Sequence, residues 1–169
     1  ENASIINPKD ALAFNNLGIV YQRLHNFDDS AKCFEKAINI NPSYLDAFSN
    51  FGNVLTDIGS FDKALTNYQH AFELNSNVDY LLGNILHTKM HLCIWDDFSR
   101  QLNELEIQVN DNLKRVDAFA FMALSDNPML QQKVSKIYAK DKFPKSYILP
   151  EIDFYTKHNK IRVGYFSGD

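Results

Sequence analysis

Three observations predict an all-α fold of stacked helix pairs. A short pattern recurs at a spacing of 34 residues: Leu17-Gly18 returns as Phe51-Gly52, Phe14 as Phe48, Asn16 as Asn50, Phe34 as Tyr68 and Ala37 as Ala71. Within each unit the apolar residues fall at helical, not alternating, spacing. Turn residues, His25-Asn26 and then Gly59-Ser60, sit between the two apolar runs of each unit. A period of this length, with small and aromatic residues at fixed offsets, belongs to helix–turn–helix units that bury their faces only against neighbouring units.

The first full unit occupies 9–42. Its first helix runs from Ala11 to about Leu24, with Phe14, Leu17, Gly18 and Tyr21 on one face. Gly18 costs about 1 kcal/mol against alanine inside a helix. Its return as Gly52 therefore implies close passage of a partner helix. Asn26 and Gly59 are the residues suited to a left-handed turn. The second helix runs from about Asp28 to Ile40 and buries Ala31, Phe34, Ala37 and Ile38; Asn41-Pro42 stops it. The second unit, 43–75, repeats this with Phe48, Phe51, Gly52, Leu55, Phe61, Ala64, Tyr68 and Ala71. A degenerate third unit and a following helix fill 76–110. Leu82-Gly83 marks that unit, but it comes 31 residues after Phe51-Gly52. The whole pattern is that of the tetratricopeptide repeat.

The flanks read differently. Ala3…Asn7-Pro8 matches Ala37…Asn41-Pro42, so 1–8 reads as the tail of a truncated preceding repeat. Phe98, Leu102, Leu105 and Val109 form one helical stripe. A helical linker is expected over 111–158, in which 117–124 is a buried apolar connection. Ser125-Asp126-Asn127-Pro128 is a helix start, and Leu130, Val134, Ile137 and Tyr138 line that helix. Ile161–Phe166 is β-rich, and 159–169 reads as one truncated terminal β-strand. The expected architecture is thus a tetratricopeptide-repeat α-α superhelix, a C-terminal helical linker and the first strand of a missing domain. Two cut ends imply a fragment, with self-association through those ends as one expected contact.

Composition narrows the function. The chain of 169 residues is 45% hydrophobic and 22% charged, with a formal net charge of −4. That balance supports a core and argues against nucleic acid as a partner. No apolar run reaches the ~18 residues of a membrane span. Two isolated cysteines, Cys33 and Cys93, suit the cytoplasm better than a disulfide framework.

Segments beyond the repeats carry a more specific resemblance. His87-Thr-Lys-Met-His-Leu-Cys93 with Trp95 and Asp97, then Phe121-Met-Ala-Leu-Ser-Asp126, then Lys160-Ile-Arg-Val-Gly-Tyr-Phe-Ser-Gly-Asp169, occur in that order. The chain resembles the O-linked N-acetylglucosamine transferase family, its bacterial Spindly-like members above all. The resemblance implies a parent protein that transfers a sugar from a nucleotide-sugar donor to protein hydroxyls. It also implies that the donor-binding and catalytic residues lie beyond Asp169. Where human-type members carry histidines, this chain has Asp117, Ala118 and Phe119. No catalytic residue, metal or cofactor is therefore assigned to this chain, which by itself is expected to be inactive.

The resemblance also implies a concave groove with a ladder of asparagines on the first helix of each repeat. Asn16 and Asn50 match it, and Leu81 at the third equivalent position ends it. Asn15, Asn53, Arg23 and Asp57 are expected to flank the groove. An asparagine amide both donates and accepts, so it can hold the backbone of an extended peptide without reading its side chains. No basic clamp for a terminal carboxylate is evident. His87 and His91 share a helix face, but Cys93 points elsewhere, so packing is preferred to zinc. Trp95 is expected in the core. Gly164 to Gly168 is too weak a pattern for a phosphate loop, and Ser167 has no base partner. The expected function is recruitment of an acceptor protein to a glycosyltransferase. The alternative is a stand-alone repeat adaptor.

Overall fold

Asp10 caps the first helix, its side chain accepting from the backbone N–H of Ala13. Residues 9–144 are described by a computed structural model. Among them run eight helices: α1 Ala11–Arg23, α2 Phe27–Ile40, α3 Leu45–Asp57, α4 Phe61–Leu74, α5 Leu81–His91, α6 Phe98–Asn110, α7 Ala118–Leu124 and α8 Pro128–Lys142. Short turns close α1 on α2 and α3 on α4. Then α2 packs on α3, and α4 on α5, which stacks the pairs into an α-α superhelix.

The recurring glycines have a steric cause. A Cβ on Gly18 would come within 2.8 Å of the Phe34 ring, and one on Gly52 within 2.5 Å of the Tyr68 ring. Phe34 and Tyr68 are among the largest fully enclosed side chains. Each helix pair is thus closed by an aromatic ring laid on the backbone of its own first helix. Ser30 adds a hydrogen bond that the apolar pattern does not show: its hydroxyl donates to the Gly18 carbonyl at 2.7 Å. Burying rings of this size supplies roughly 1.5–3 kcal/mol each.

The first turn differs from expectation. His25, not Asn26, takes the left-handed conformation, with φ of 55°, and Gly59 occupies the equivalent place with φ of 77°. Asn26 is needed elsewhere: it caps α2, accepting from the N–H of Asp29.

The third unit is completed by a later part of the chain. Gly83 packs against Val116, where the earlier units use an aromatic of their second helix, and a Cβ on Gly83 would come within 2.5 Å of the Val116 side chain. Backbone bonds hold this in place. The N–H of Tyr80 donates to Lys114 O at 2.6 Å, and that of Gly83 to Arg115 O at 2.9 Å. The Arg115 guanidinium, itself buried, donates back to Asn77 Oδ1 at 2.8 Å. The core here joins Leu82, Leu86, Leu105, Val109, Phe121 and Val134.

Two further expectations are corrected. Residues 118–124 are a short helix, not a buried connection. Asp117 caps it through the N–H groups of Phe119 and Ala120, and it buries Phe121 while leaving Phe119 and Met122 exposed. Trp95 is 57% exposed and touches Phe98 edge-on. The loop that carries it bends at Cys93 and Asp97, both at positive φ, and swings the indole outward. The helix start at Asn127-Pro128 stands as the sequence implies, with Asn127 capping α8. The tail at 1–8 and the strand at 161–166 lie outside the described residues. No helix among those described is long and apolar enough to cross a membrane.

Candidate functional site

The inner faces of α1, α3 and α5 line a groove with a cavity of about 510 Å³. Asn15 and Asn16 come from α1, Ser49, Asn50 and Asn53 from α3, and Asn84 from α5. Tyr44, Asp46, Asp79 and Tyr80 lie at the starts of α3 and α5, and the last turn of α8 adds Asp141 and Lys142. The stacking puts the first helix of each unit on this side, because the second helices carry the aromatic closures behind it.

The asparagines form two rungs between units. Asn50 Nδ2 donates to Asn15 Oδ1 at 3.1 Å, and Asn84 Nδ2 donates to Asn53 Oδ1 at 3.2 Å. Tyr68 anchors the second rung, since its buried hydroxyl also donates to Asn53 Oδ1 at 2.8 Å. Burial raises the pKa of that hydroxyl well above the usual phenol value, so it remains a donor. Asn15 is 4% exposed, yet no hydrogen bond among the described residues engages its amide nitrogen. Asn16 is exposed on the groove wall and is likewise unengaged there. The Ser49 hydroxyl is buried without a partner among the described residues. The wall thus presents several unused donors and acceptors, which is what an extended backbone requires.

Of the six residues expected at the groove, Asn15, Asn16, Asn50 and Asn53 line it. Arg23 is exposed at the end of α1 and Asp57 accepts from Gln22 Nε2 at 2.9 Å; neither lines the cavity. Asn84 is a groove residue that the 34-residue spacing does not reveal. Leu81 does stand at the position equivalent to Asn16 and Asn50, and it is buried. The amide row continues one turn further on, where Asn84 repeats Asn53 at the same 31-residue offset as the Leu-Gly pair.

One end of the groove is tied down by a charged cluster. Asp141 accepts from the Tyr80 hydroxyl at 2.8 Å and pairs with Lys114 and Lys142. Lys114, then Tyr80, hold its carboxyl well below the usual carboxylate range. Burial and then Asp141 raise the Tyr80 phenol. Lys142 also lies over the Tyr80 ring, 4.8 Å from its centroid.

The paired histidines are engaged in ring packing. No group of three or more His, Cys, Asp or Glu suited to a metal occurs among the described residues. His91 instead stacks on Phe61 at 4.1 Å and meets His87 edge-on at 4.8 Å. Burial, and then His91, push the His87 pKa down.

The tetratricopeptide repeat family profile matches residues 11–44 and again 45–78. Residues 11–78 are two tetratricopeptide repeats. Solved structures resemble the chain beyond those two units. YrrB, described as a TPR protein with an unusual peptide-binding site, is 18% identical with a TM-score of 0.60, covering 83% of this chain and 73% of its own. One MamA structure is 14% identical with a TM-score of 0.62, covering 82% and 80%. Another is 19% identical with a TM-score of 0.57, covering 64% of this chain and 61% of that one. The chain thus spans less than two thirds of the length of that MamA chain. At such identities the likeness establishes the fold. No curated protein sequence matches at a significant level.

Proposed function

We propose that this chain is a protein-interaction region whose concave groove holds an extended peptide by its backbone. The observation that carries the reading is the pair of asparagine rungs with unused amide groups beside them. Tetratricopeptide repeats are protein-interaction units, and YrrB is described as having a peptide-binding site, which supports this use of the groove. The test uses peptides selected from a displayed dodecapeptide library on the intact chain. Asn16→Ala combined with Asn50→Ala should weaken the selected peptides by about tenfold or more, the equivalent of ~1.4 kcal/mol. Affinities that do not change would place binding elsewhere.

A more specific reading is recruitment of an acceptor protein for a nucleotide-sugar-dependent O-glycosyltransferase. It is favoured by the resemblance of 87–97, 121–126 and 160–169 to that family. The nucleotide-sugar donor would be held by catalytic residues outside these segments. A stand-alone adaptor fits the repeats equally well. The parent messenger RNA separates the two: an open reading frame continuing into a catalytic region supports the transferase, and a stop codon after Asp169 sinks it.

A further inference from the structure

A second cavity, of about 310 Å³, opens between α4, α5 and α6 and shares no lining residue with the groove. Its apolar wall is Phe72 from α4 with Leu82 and Ile85 from α5, the latter two each 5% exposed. Its polar residues are Gln69 and Glu73 from α4, Lys89 from α5 and Gln101 from α6.

Lys89 is the unusual member. A lysine in the last turn of a helix suits the helix dipole, but that role needs no burial. Lys89 is nonetheless only 8% exposed. Among the described residues no carboxylate lies within ion-pair distance of it. Glu73, at the cavity rim, turns to His70 at 3.5 Å. Asp97 is held below the usual carboxylate range chiefly by Arg100, with Lys89 a lesser influence. An ammonium carries three donors, and here one is used, to Gln101 Oε1 at 2.9 Å. A charge drawn this far from water is costly unless an anion and further hydrogen bonds compensate it.

The lining narrows the ligand. One cation matches a single negative charge, and the carboxylate of Glu73 at the rim disfavours a dianion such as phosphate. The amides of Gln69 and Gln101 can add donors to an anionic oxygen. The apolar wall calls for hydrocarbon. A concave, largely apolar surface with a few convergent polar groups is how small-ligand sites are built.

We propose that this cavity binds a carboxylate carrying an apolar tail, its charge met by Lys89 and its tail laid against Phe72, Leu82 and Ile85. A free aliphatic acid and the C-terminal carboxylate of an apolar-ended peptide share this chemistry. The site is separate from the peptide groove and does not rest on it.

The test is calorimetric titration of the intact chain with hexanoate, with hexanol, which has the tail without the charge, and with acetate, which has the charge without the tail. Hexanoate should bind about tenfold or more tighter than either. Lys89→Met removes the charge at nearly constant length and should erase the advantage of hexanoate over hexanol. Gln69→Glu, at an exposed position, adds a second rim carboxylate and should weaken hexanoate by roughly threefold or more while leaving hexanol unchanged. This variant keeps the test decisive if Lys89→Met does not fold. Hexanoate binding no better than hexanol, or an advantage untouched by either substitution in a folded chain, overturns the proposal. An acetylated tripeptide ending in leucine and phenylalanine, with a free or an amidated C-terminus, identifies the source. Binding of the free form alone, lost in Lys89→Met, supports a peptide terminus; binding of hexanoate but of neither tripeptide supports a free acid.

Discussion

Gly52 lies directly under the ring of Tyr68, so that a Cβ there would come within 2.5 Å of the ring. Tyr68 cannot easily withdraw, because it is 2% exposed and its hydroxyl is bound to Asn53. Gly52→Ala should therefore destabilise the chain despite the better helix propensity of alanine. Overpacking costs about 1–3 kcal/mol and the propensity gain returns about 1. A net loss of up to ~2 kcal/mol, read as a lowered urea midpoint, is expected. The same substitution at Gly59, where nothing lies within 4 Å of the added Cβ, costs only its left-handed backbone, about 1–2 kcal/mol. Only Gly52→Ala should also shift the near-ultraviolet signal of the buried tyrosine.

Ser49 gives the opposite expectation. Its hydroxyl is buried on the groove wall with no hydrogen bond among the described residues, a cost the fold carries without return. Ser49→Ala should leave stability unchanged or raise it by up to ~1 kcal/mol in thermal or urea denaturation. A clear loss of stability would show that the hydroxyl has a structural partner.

The cluster at the end of the groove sets a pH window. Asp141 has a folded pKa depressed below its ordinary 3.8, chiefly by Lys114 and then Tyr80. Its carboxylate thus stabilises the fold above that value, and the stabilisation is lost as pH falls through the folded pKa. Lys114 is raised above 10.5, first by Asp141, so its contribution is complete below 10.5 and lost as pH rises further. The Tyr80 phenol is also raised, which favours its neutral form and fails in strong alkali. Asp141→Asn should flatten the acid limb of a stability–pH curve below about pH 4 while leaving the helical content at neutral pH intact. Parallel acid limbs in the two proteins would contradict this.

His87 acts at milder pH. Its folded pKa lies below 6.5 because burial and His91 disfavour the imidazolium, against a smaller opposing effect of Asp117. The folded chain therefore binds fewer protons than the unfolded chain, and stability declines as pH drops below about 6.5. His87→Gln should reduce that decline between about pH 7 and 5, as read from denaturation midpoints. An unchanged slope would assign the decline to another group.

Much of the repeat architecture is legible in the sequence because it depends on local periodicity. The Leu-Gly pairs, the aromatics that close on them and the Asn127-Pro128 helix start all follow from spacing and caps. What escapes the sequence depends on distant parts of the chain. Val116 takes the place of an aromatic beside Gly83, and nothing in residues 76–95 signals it. Trp95 has the chemistry of a core residue, but two left-handed residues near it turn it outward. In the groove, repeat-equivalent positions are the natural candidates for a polar row. Asn15 pairs instead with Asn50, which is not its repeat equivalent. Asn84 follows from Asn53 once the 31-residue offset that relates Gly52 to Gly83 is applied along the whole helix.

The last turn of α8 gives the groove a measurable length. Neighbouring helices pack about 8–10 Å apart, so the three first helices span roughly 20 Å. An extended chain advances about 3.3 Å per residue and thus lays down about six residues over that span. The α5 end of the groove is lined by Asp141 and Lys142, and Asp141 is held by Lys114 and Tyr80. A peptide held there as proposed would have to finish near that point or turn there, so the proposed reading predicts a preference for chain ends or sharp bends.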